Sequence, residues 1–164
     1  MKTPALCLLL AACLLAVSGC SKQTTRTVKT SDGKEVTMSG DGKSASMDVT
    51  TATGEKVHLQ GSADGMAVPA DFPKDIPIFA KSKLRMASGG AAMRLFGFVL
   101  PATPADGMAY YEKEFPAQGW ETKPHMAMGQ SLMLQGSKGG RTFMLTIGPD
   151  GKDTYAQLTV TGGN

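Results

Sequence analysis

The chain has 164 residues, with 17 basic and 14 acidic side chains and a formal charge of +3. Charge this balanced argues against a nucleic-acid partner, whose binders carry a basic face or stripe. Glycine is abundant at 20 residues, threonine is frequent and helix signals are few, so the chain reads as mostly β.

The first stretch is a targeting signal. Lys2 supplies a positive start, and Ala5 to Val17 is an apolar run of about 13 residues, the length of a signal-peptide core. A membrane-spanning helix needs roughly 20 apolar residues, and Ser18, Gly19, Ser21 and Lys22 end this run too early. Val17-Ser18-Gly19-Cys20 resembles the lipobox of bacterial lipoproteins: an aliphatic residue, two small residues, then cysteine. Val17 stands where leucine is commonest. The resemblance implies a diacylglycerol thioether on Cys20, cleavage before it, and acylation of the new amine by a fatty chain of the palmitate class. Each buried methylene contributes about 0.8 kcal/mol, so two or three chains anchor firmly where one binds reversibly. The resemblance also implies that Ser21, which is not the aspartate of inner-membrane retention, sends the protein to the outer membrane facing the periplasm. An ordinary secretory signal with an incidental cysteine is the other reading.

Cleavage of the signal peptide, residues 1–19, leaves 145 residues with 16 basic and 14 acidic side chains. Cys7 and Cys13 leave with the signal and Cys20 carries lipid, so no intramolecular disulfide is available and stability must come from an apolar core.

Residues 20–30 are polar, lack apolar periodicity, and read as a lipidated tether. Residues 31–66 form a repetitive β-hairpin segment. Asp32-Gly33-Lys34-Glu35-Val36-Thr37-Met38 is echoed by Asp41-Gly42-Lys43-Ser44-Ala45-Ser46-Met47 and, more loosely, by Thr53 to Leu59. Each unit is a turn dipeptide followed by alternation. Val36 and Met38 share a face, as do Ala45, Met47 and Val49, and Val57 and Leu59. That thin apolar face needs a partner surface. A surface meander and a Thr/Ser/Gly-rich stalk are the two readings.

Residues 67–79 form a Pro-rich packed connector. Pro69, Pro73 and Pro77 forbid helix and sheet interior alike, while Phe72, Ile76, Ile78 and Phe79 are apolar enough to pin the segment on a domain surface. The run Asp71-Phe72-Pro73-Lys74-Asp75-Ile76-Pro77 resembles a segment of poorly characterised bacterial lipoproteins, where it precedes a small α+β domain. The resemblance covers Val68 to the end and brings no catalytic residues with it.

Residues 80–164 supply the parts of that domain in order, as ββαβββ(β): a mainly antiparallel sheet with one packed helix. Lys81–Ala87 and Ala91–Leu100 predict a hairpin. Thr103-Pro104-Ala105-Asp106 is a capping-box pattern, and Met108, Tyr111 and Phe115 line one face of the helix that follows. Pro116 disturbs its last turn and Gly119 caps its end. Strands are predicted at 121–128, 131–135, 141–148 and 154–161, with a bulge near Gln157 to reconcile Tyr155 with Leu158 and Val160.

Few residues carry chemistry. His58 and His125 are the only histidines. Ser31-Asp32-Gly33-Lys34 matches S-x-x-K without its companion motifs, and Gly42-Lys43-Ser44 lacks the leading glycine of a phosphate loop, where Thr37 stands instead. Met126 and Met128 beside His125, with Met133 nearby, suggest a soft site for Cu(I). Strand alternation turns His125 away from the two methionines, and the competing reading is that methionines fill the core. Lys81, Lys83 and Arg85 alternate along a strand, with Arg94 on its neighbour, as either an anion-facing stripe or a solvated face. Glu112 and Glu114 lie about 200° apart on a helix and cannot act as a pair. Tyr110 and Trp120 either seal the helix against the sheet or stand at the rim of a ligand groove.

The expectation is therefore a non-catalytic, membrane-anchored periplasmic lipoprotein that binds or scaffolds a partner, with no cofactor. Its partners are the lipid bilayer through acylated Cys20 and an envelope protein or polymer. The alternative is a periplasmic small-molecule or soft-metal binding protein, and a hydrolase ranks below both.

Overall fold

Short Gly-containing turns reverse a chain onto its own neighbour, and the pairing they dictate here is antiparallel throughout. The computed structural model describes residues 24–29, 35–50, 54, 56–90 and 92–162. They contain β1 (Thr24–Lys29), β2 (Glu35–Gly40), β3 (Ser44–Thr50), β4 (Lys56–Met66), β5 (Lys83–Gly89), β6 (Met93–Leu100), α1 (Pro104–Ala117), β7 (Glu121–Thr122), β8 (Met126–Met128), β9 (Ser131–Lys138), β10 (Arg141–Asp150) and β11 (Asp153–Thr161). One sheet runs β1-β2-β3-β4-β5-β6-β11-β10-β9-β7, with β8 also against β9. After β6 the chain crosses through α1 to the far edge and meanders back, setting β11 beside β6. The coarse expectation holds: this is an α+β chain, mostly antiparallel sheet with one helix among the described residues.

The finer order differs. Five strands follow the helix, because the stretch 121–128 is broken into β7 and β8. Pro124 lies in the gap and has no N–H for a ladder, while Lys123 still donates its N–H to the Gln135 carbonyl at 2.9 Å. Residues 24–29, expected within the tether, form the edge strand β1. Its threonines and Val28 pair in full register with β2, from Thr24 opposite Gly40 to Lys29 opposite Glu35. No bulge occurs at Gln157: β11 keeps unbroken register with both β10 and β6. Thr154, Ala156, Leu158 and Val160 are its buried parity, and Tyr155 belongs to the opposite face. The register shifts fall instead at Gly61–Met66 in β4 and Leu84–Met86 in β5.

The helix begins where its sequence says it should. The Thr103 hydroxyl accepts the Asp106 N–H at 3.2 Å and donates to the Asp106 carboxylate at 2.7 Å. It ends in a Schellman arrangement: Gly119, at φ 80°, donates to the Pro116 carbonyl, and Trp120 donates to that of Phe115. Met108, Tyr111 and Phe115 are buried against the sheet, and Phe115 stacks on Phe143 at 3.8 Å between ring centroids. A Cβ on Gly107 would come within 3.0 Å of Leu100, so helix and sheet approach as closely as a glycine allows.

The two faces of the sheet differ along its length. Over β5, β6, β11, β10 and β9, the face under the helix is the core: Leu84, Ala87, Phe96, Phe98, Leu100, Leu158, Leu145 and Leu134 are all buried. Over β1 to β4 that same face is polar. Thr27, Thr37, Asp48 and His58 stand opposite one another in register, and so do Thr25, Ser39, Ser46 and Gln60. The apolar residues of these four strands therefore lie on the opposite side of the sheet, away from the helix. Val28, Val36, Val49 and Val57 make one row, and Met38, Met47 and Leu59 make a second.

Candidate functional site

Among the described residues, the helix–sheet interface is packed with buried aromatic side chains. Phe115 is fully buried, and Trp120 is 2% exposed with its indole N–H donating to the Asp75 carbonyl at 2.9 Å. The Tyr110 hydroxyl donates to the Ile78 carbonyl at 2.9 Å, and its ring meets Phe79 edge-on. Both aromatics thus seal the connector onto the helix rather than line a rim. Burial raises the Tyr111 hydroxyl well above its ordinary pKa, so it stays neutral and structural.

One charged cluster holds the connector down. Arg141 grips the Asp75 carboxylate with both terminal nitrogens, at 3.1 and 2.5 Å, and Lys138 reaches it at 2.8 Å. The Arg141 guanidinium also lies 4.9 Å from the Trp120 ring centroid. The hydrogen bond from Arg141 lowers the Asp75 pKa to about 2, against the opposing effect of burial, with Lys138 adding to the fall. These contacts tie the connector to β9 and β10. Phe72 and Ile76 bury on either side of Pro73, Phe72 packing edge-on against Phe96 and Phe98.

A chemically mixed hollow lies where the polar face of β1–β4 meets the connector. It encloses about 290 Å³ and is lined by His58, Gln60, Asp71, Ala87, Arg94 and Phe96 among others. His58 Nδ1 sits 2.5 Å from the Asp48 carboxylate, which fixes the ring and leaves Nε2 as its second polar atom. Arg94 donates to the Asp71 carbonyl at 2.8 Å, and its Nε stands 3.9 Å from the Asp71 carboxylate. The imidazole and the guanidinium thus meet at one open hollow, each already beside a carboxylate, Asp48 and Asp71 respectively. His58 and Asp48 form a histidine–carboxylate pair, and Ser88 is among the other residues lining the hollow.

The remaining sequence candidates are dispersed. His125 Nδ1 bonds the Glu112 carboxylate at 2.6 Å on the helix side. Met126 stands opposite Met133, and Met128 opposite Ser131, on the other side of the sheet, half or more exposed. Alternation thus separates the imidazole from the thioethers. Among the described residues, no group of three or more His, Cys, Asp or Glu could hold a metal ion. The basic stripe divides too: Lys83 pairs with Val99 on the outer face, whereas Arg94 lies in the polar hollow of the inner one. Gly42-Lys43-Ser44 is the β2–β3 hairpin turn, with the Asp41 carboxylate accepting the N–H groups of Lys43 and Ser44. Those two bonds lower the Asp41 pKa. Cys20 and Ser31–Lys34 lie outside the described residues.

The hollow was missed in the sequence because its residues come from four separate segments. The outer apolar face was legible as alternation within each strand, but its continuity across strands needed the register. Among the described residues no helix is long and apolar enough to cross a membrane. A family model described as START domain-like matches residues 98–157, from the end of β6 through α1 into β11. No curated protein and no solved structure matches the chain.

Proposed function

We propose that this chain is a membrane-anchored periplasmic lipoprotein, tied to the outer membrane through acylated Cys20, that binds or scaffolds an envelope partner without catalysis. The observation that carries the binding part is the uncovered apolar face of the sheet. Val28 is 50% exposed, Met38 41%, Met93 53% and Met144 42%, all on the side away from the helix. The rows on β1–β4 are contiguous, as an interaction site requires, whereas Met93 and Met144 stand apart from them beyond Ser88, Thr159 and Thr161. The aromatic side chains packed between helix and sheet support the same reading, since they occupy the natural place for an enclosed ligand.

Mass spectrometry of membrane-extracted protein tests the anchor: acylated Cys20 should be the first residue, and an unmodified chain starting elsewhere refutes it. Photo-cross-linking in intact cells from position 38 on the outer face should recover a repeated envelope partner, while the exposed Lys113 on the helix should recover far less. Equal recovery from both positions counts against the face.

A second reading, capture of a small anion, rests on the His58–Arg94 hollow. Binding of a carboxylate or phosphate probe that disappears in Arg94→Gln supports it. An unchanged isotherm removes it. For soft metal, Cu(I) titration of the mature chain should give coincident curves with and without His125→Ala, because that ring faces away from Met126 and Met128.

A further inference from the structure

The four-strand extension is amphipathic in an unusual sense: its polar side continues the face that the helix covers, and its apolar side faces away. The two apolar rows, Val28–Val36–Val49–Val57 and Met38–Met47–Leu59, present seven large side chains on one surface. In those rows no residue is fully buried: each is exposed or intermediate among the described residues. The charged strand position beside them on β1 is Arg26, opposite Met38, whereas Lys29, Glu35, Asp48 and Lys56 all belong to the polar side.

We propose that this face docks on the bilayer that holds Cys20. The proposal rests on the lipoprotein reading, and the length of chain between anchor and sheet carries it. Thr24 opens β1, four residues after Cys20, a separation of at most about 14 Å when fully extended. Neighbouring strands lie about 4.8 Å apart, so β4 stands only about 15 Å from β1. The extension is thus confined to within roughly 40 Å of the anchor, so its apolar face can reach the headgroup region without a long linker. Tethering makes docking intramolecular, so a weak apolar contact is enough to populate it. The depth is bounded by β1 itself: an edge strand leaves backbone groups that hydrocarbon cannot satisfy. The sheet therefore lies flat at the interface, its valines and methionines among the upper acyl carbons and Arg26 among anionic headgroups.

Cys20 is the sole cysteine of the mature chain, so the geometry can be rebuilt without relying on cellular acylation. The mature chain is coupled through Cys20 to a maleimide-headgroup lipid in phosphatidylethanolamine/phosphatidylglycerol vesicles containing brominated acyl chains. Val28→Trp and Thr27→Trp place a reporter on opposite faces of the same exposed strand. Docking predicts bromine quenching at least about threefold stronger for Val28→Trp, and its loss when Met38→Asp is added. The unchanged emission of buried Trp120 serves as the check that each variant is folded. Equal quenching at both positions, or none at either, overturns the proposal. So does a Val28→Trp signal shielded from aqueous iodide but not quenched by bromine and dependent on protein density, which assigns the face to a second copy. Absence of acyl groups on Cys20 in cells defeats the lipoprotein reading separately and leaves this result legible.

Discussion

Asp75→Asn separates the connector clamp from everything else the connector does. Asparagine keeps the volume and leaves the main-chain carbonyl to accept the Trp120 N–H, but it removes the charge that Arg141 and Lys138 share. The Asp75 pKa is about 2 in the folded chain and 3.8 in the reference state. That difference corresponds to roughly 2.4 kcal/mol at 1.36 kcal/mol per pH unit. The carboxylate keeps 22% of its surface in water, so screening reduces the expected contribution to about 1–2 kcal/mol. The sign follows from the depressed folded value: the stabilisation is fully present above pH 3.8 and is lost as pH falls toward 2. Urea unfolding of the parent protein and of Asp75→Asn, at pH 7 and at pH 2.5, isolates this group, because every other carboxylate titrates in both proteins. The variant should be less stable by about 1–2 kcal/mol at pH 7, and the gap should shrink by more than half at pH 2.5. A gap that is the same at both pH values, or one below about 0.5 kcal/mol at pH 7, refutes the clamp.

Three further substitutions test the packing. Phe115→Ala removes a fully buried ring stacked on Phe143 and should cost about 3–5 kcal/mol, read as a lowered urea midpoint with unchanged slope. Gly97→Ala places a Cβ 1.8 Å from the Tyr155 hydroxyl, and should lower the thermal midpoint by the equivalent of about 1–3 kcal/mol. Tyr155→Ser in the same chain should recover most of that loss, and failure to recover it means the strain lies elsewhere. Thr103→Ala should cost about 1 kcal/mol through the lost cap on Asp106, measured by the same unfolding curves.

Local signals were legible and long-range ones were not. The Thr103 cap, the i, i+3, i+7 face of Met108, Tyr111 and Phe115 and the Gly119 terminus are fixed by neighbours within one turn, so sequence spacing reveals them. The apolar parity of β2, β3 and β4 was visible for the same reason, since alternation is a property of each strand alone. Tyr155 was assigned to the core face because an aromatic in a strand suggests burial. Gly97, distant in sequence, instead opens space for it on the outer face. The strand at 24–29 was missed because a threonine-rich segment has no apolar period; its register comes from β2, through contacts such as the 3.0 Å Thr27–Thr37 hydroxyl pair. The His58–Arg94 hollow needs β4, β5, β6 and the connector at once, and no local pattern encodes that meeting.

The placement of apolar surface on opposite sides of one sheet follows from which segments receive a cover. From β5 onward, α1 and the connector supply buried aromatics to one face, so hydrophobic residues there gain by pointing toward the helix. The helix packs against β7, β9 and β10, at the far end of the sheet from β1–β4. A four-strand extension without a helix has no intrinsic preference for that side. Its polar rows could equally have faced outward, with valines and methionines continuing the core toward the connector. Instead the chain spends Thr, Ser, Asp and His on the side where a core could have grown, and leaves seven apolar side chains on the other. Solvent gives no reason for placing apolar side chains on the outer side, where Val28 is 50% exposed and Met38 41%. A second surface on that side would, and under the proposed anchoring the three residues between Cys20 and Thr24 keep the bilayer within reach.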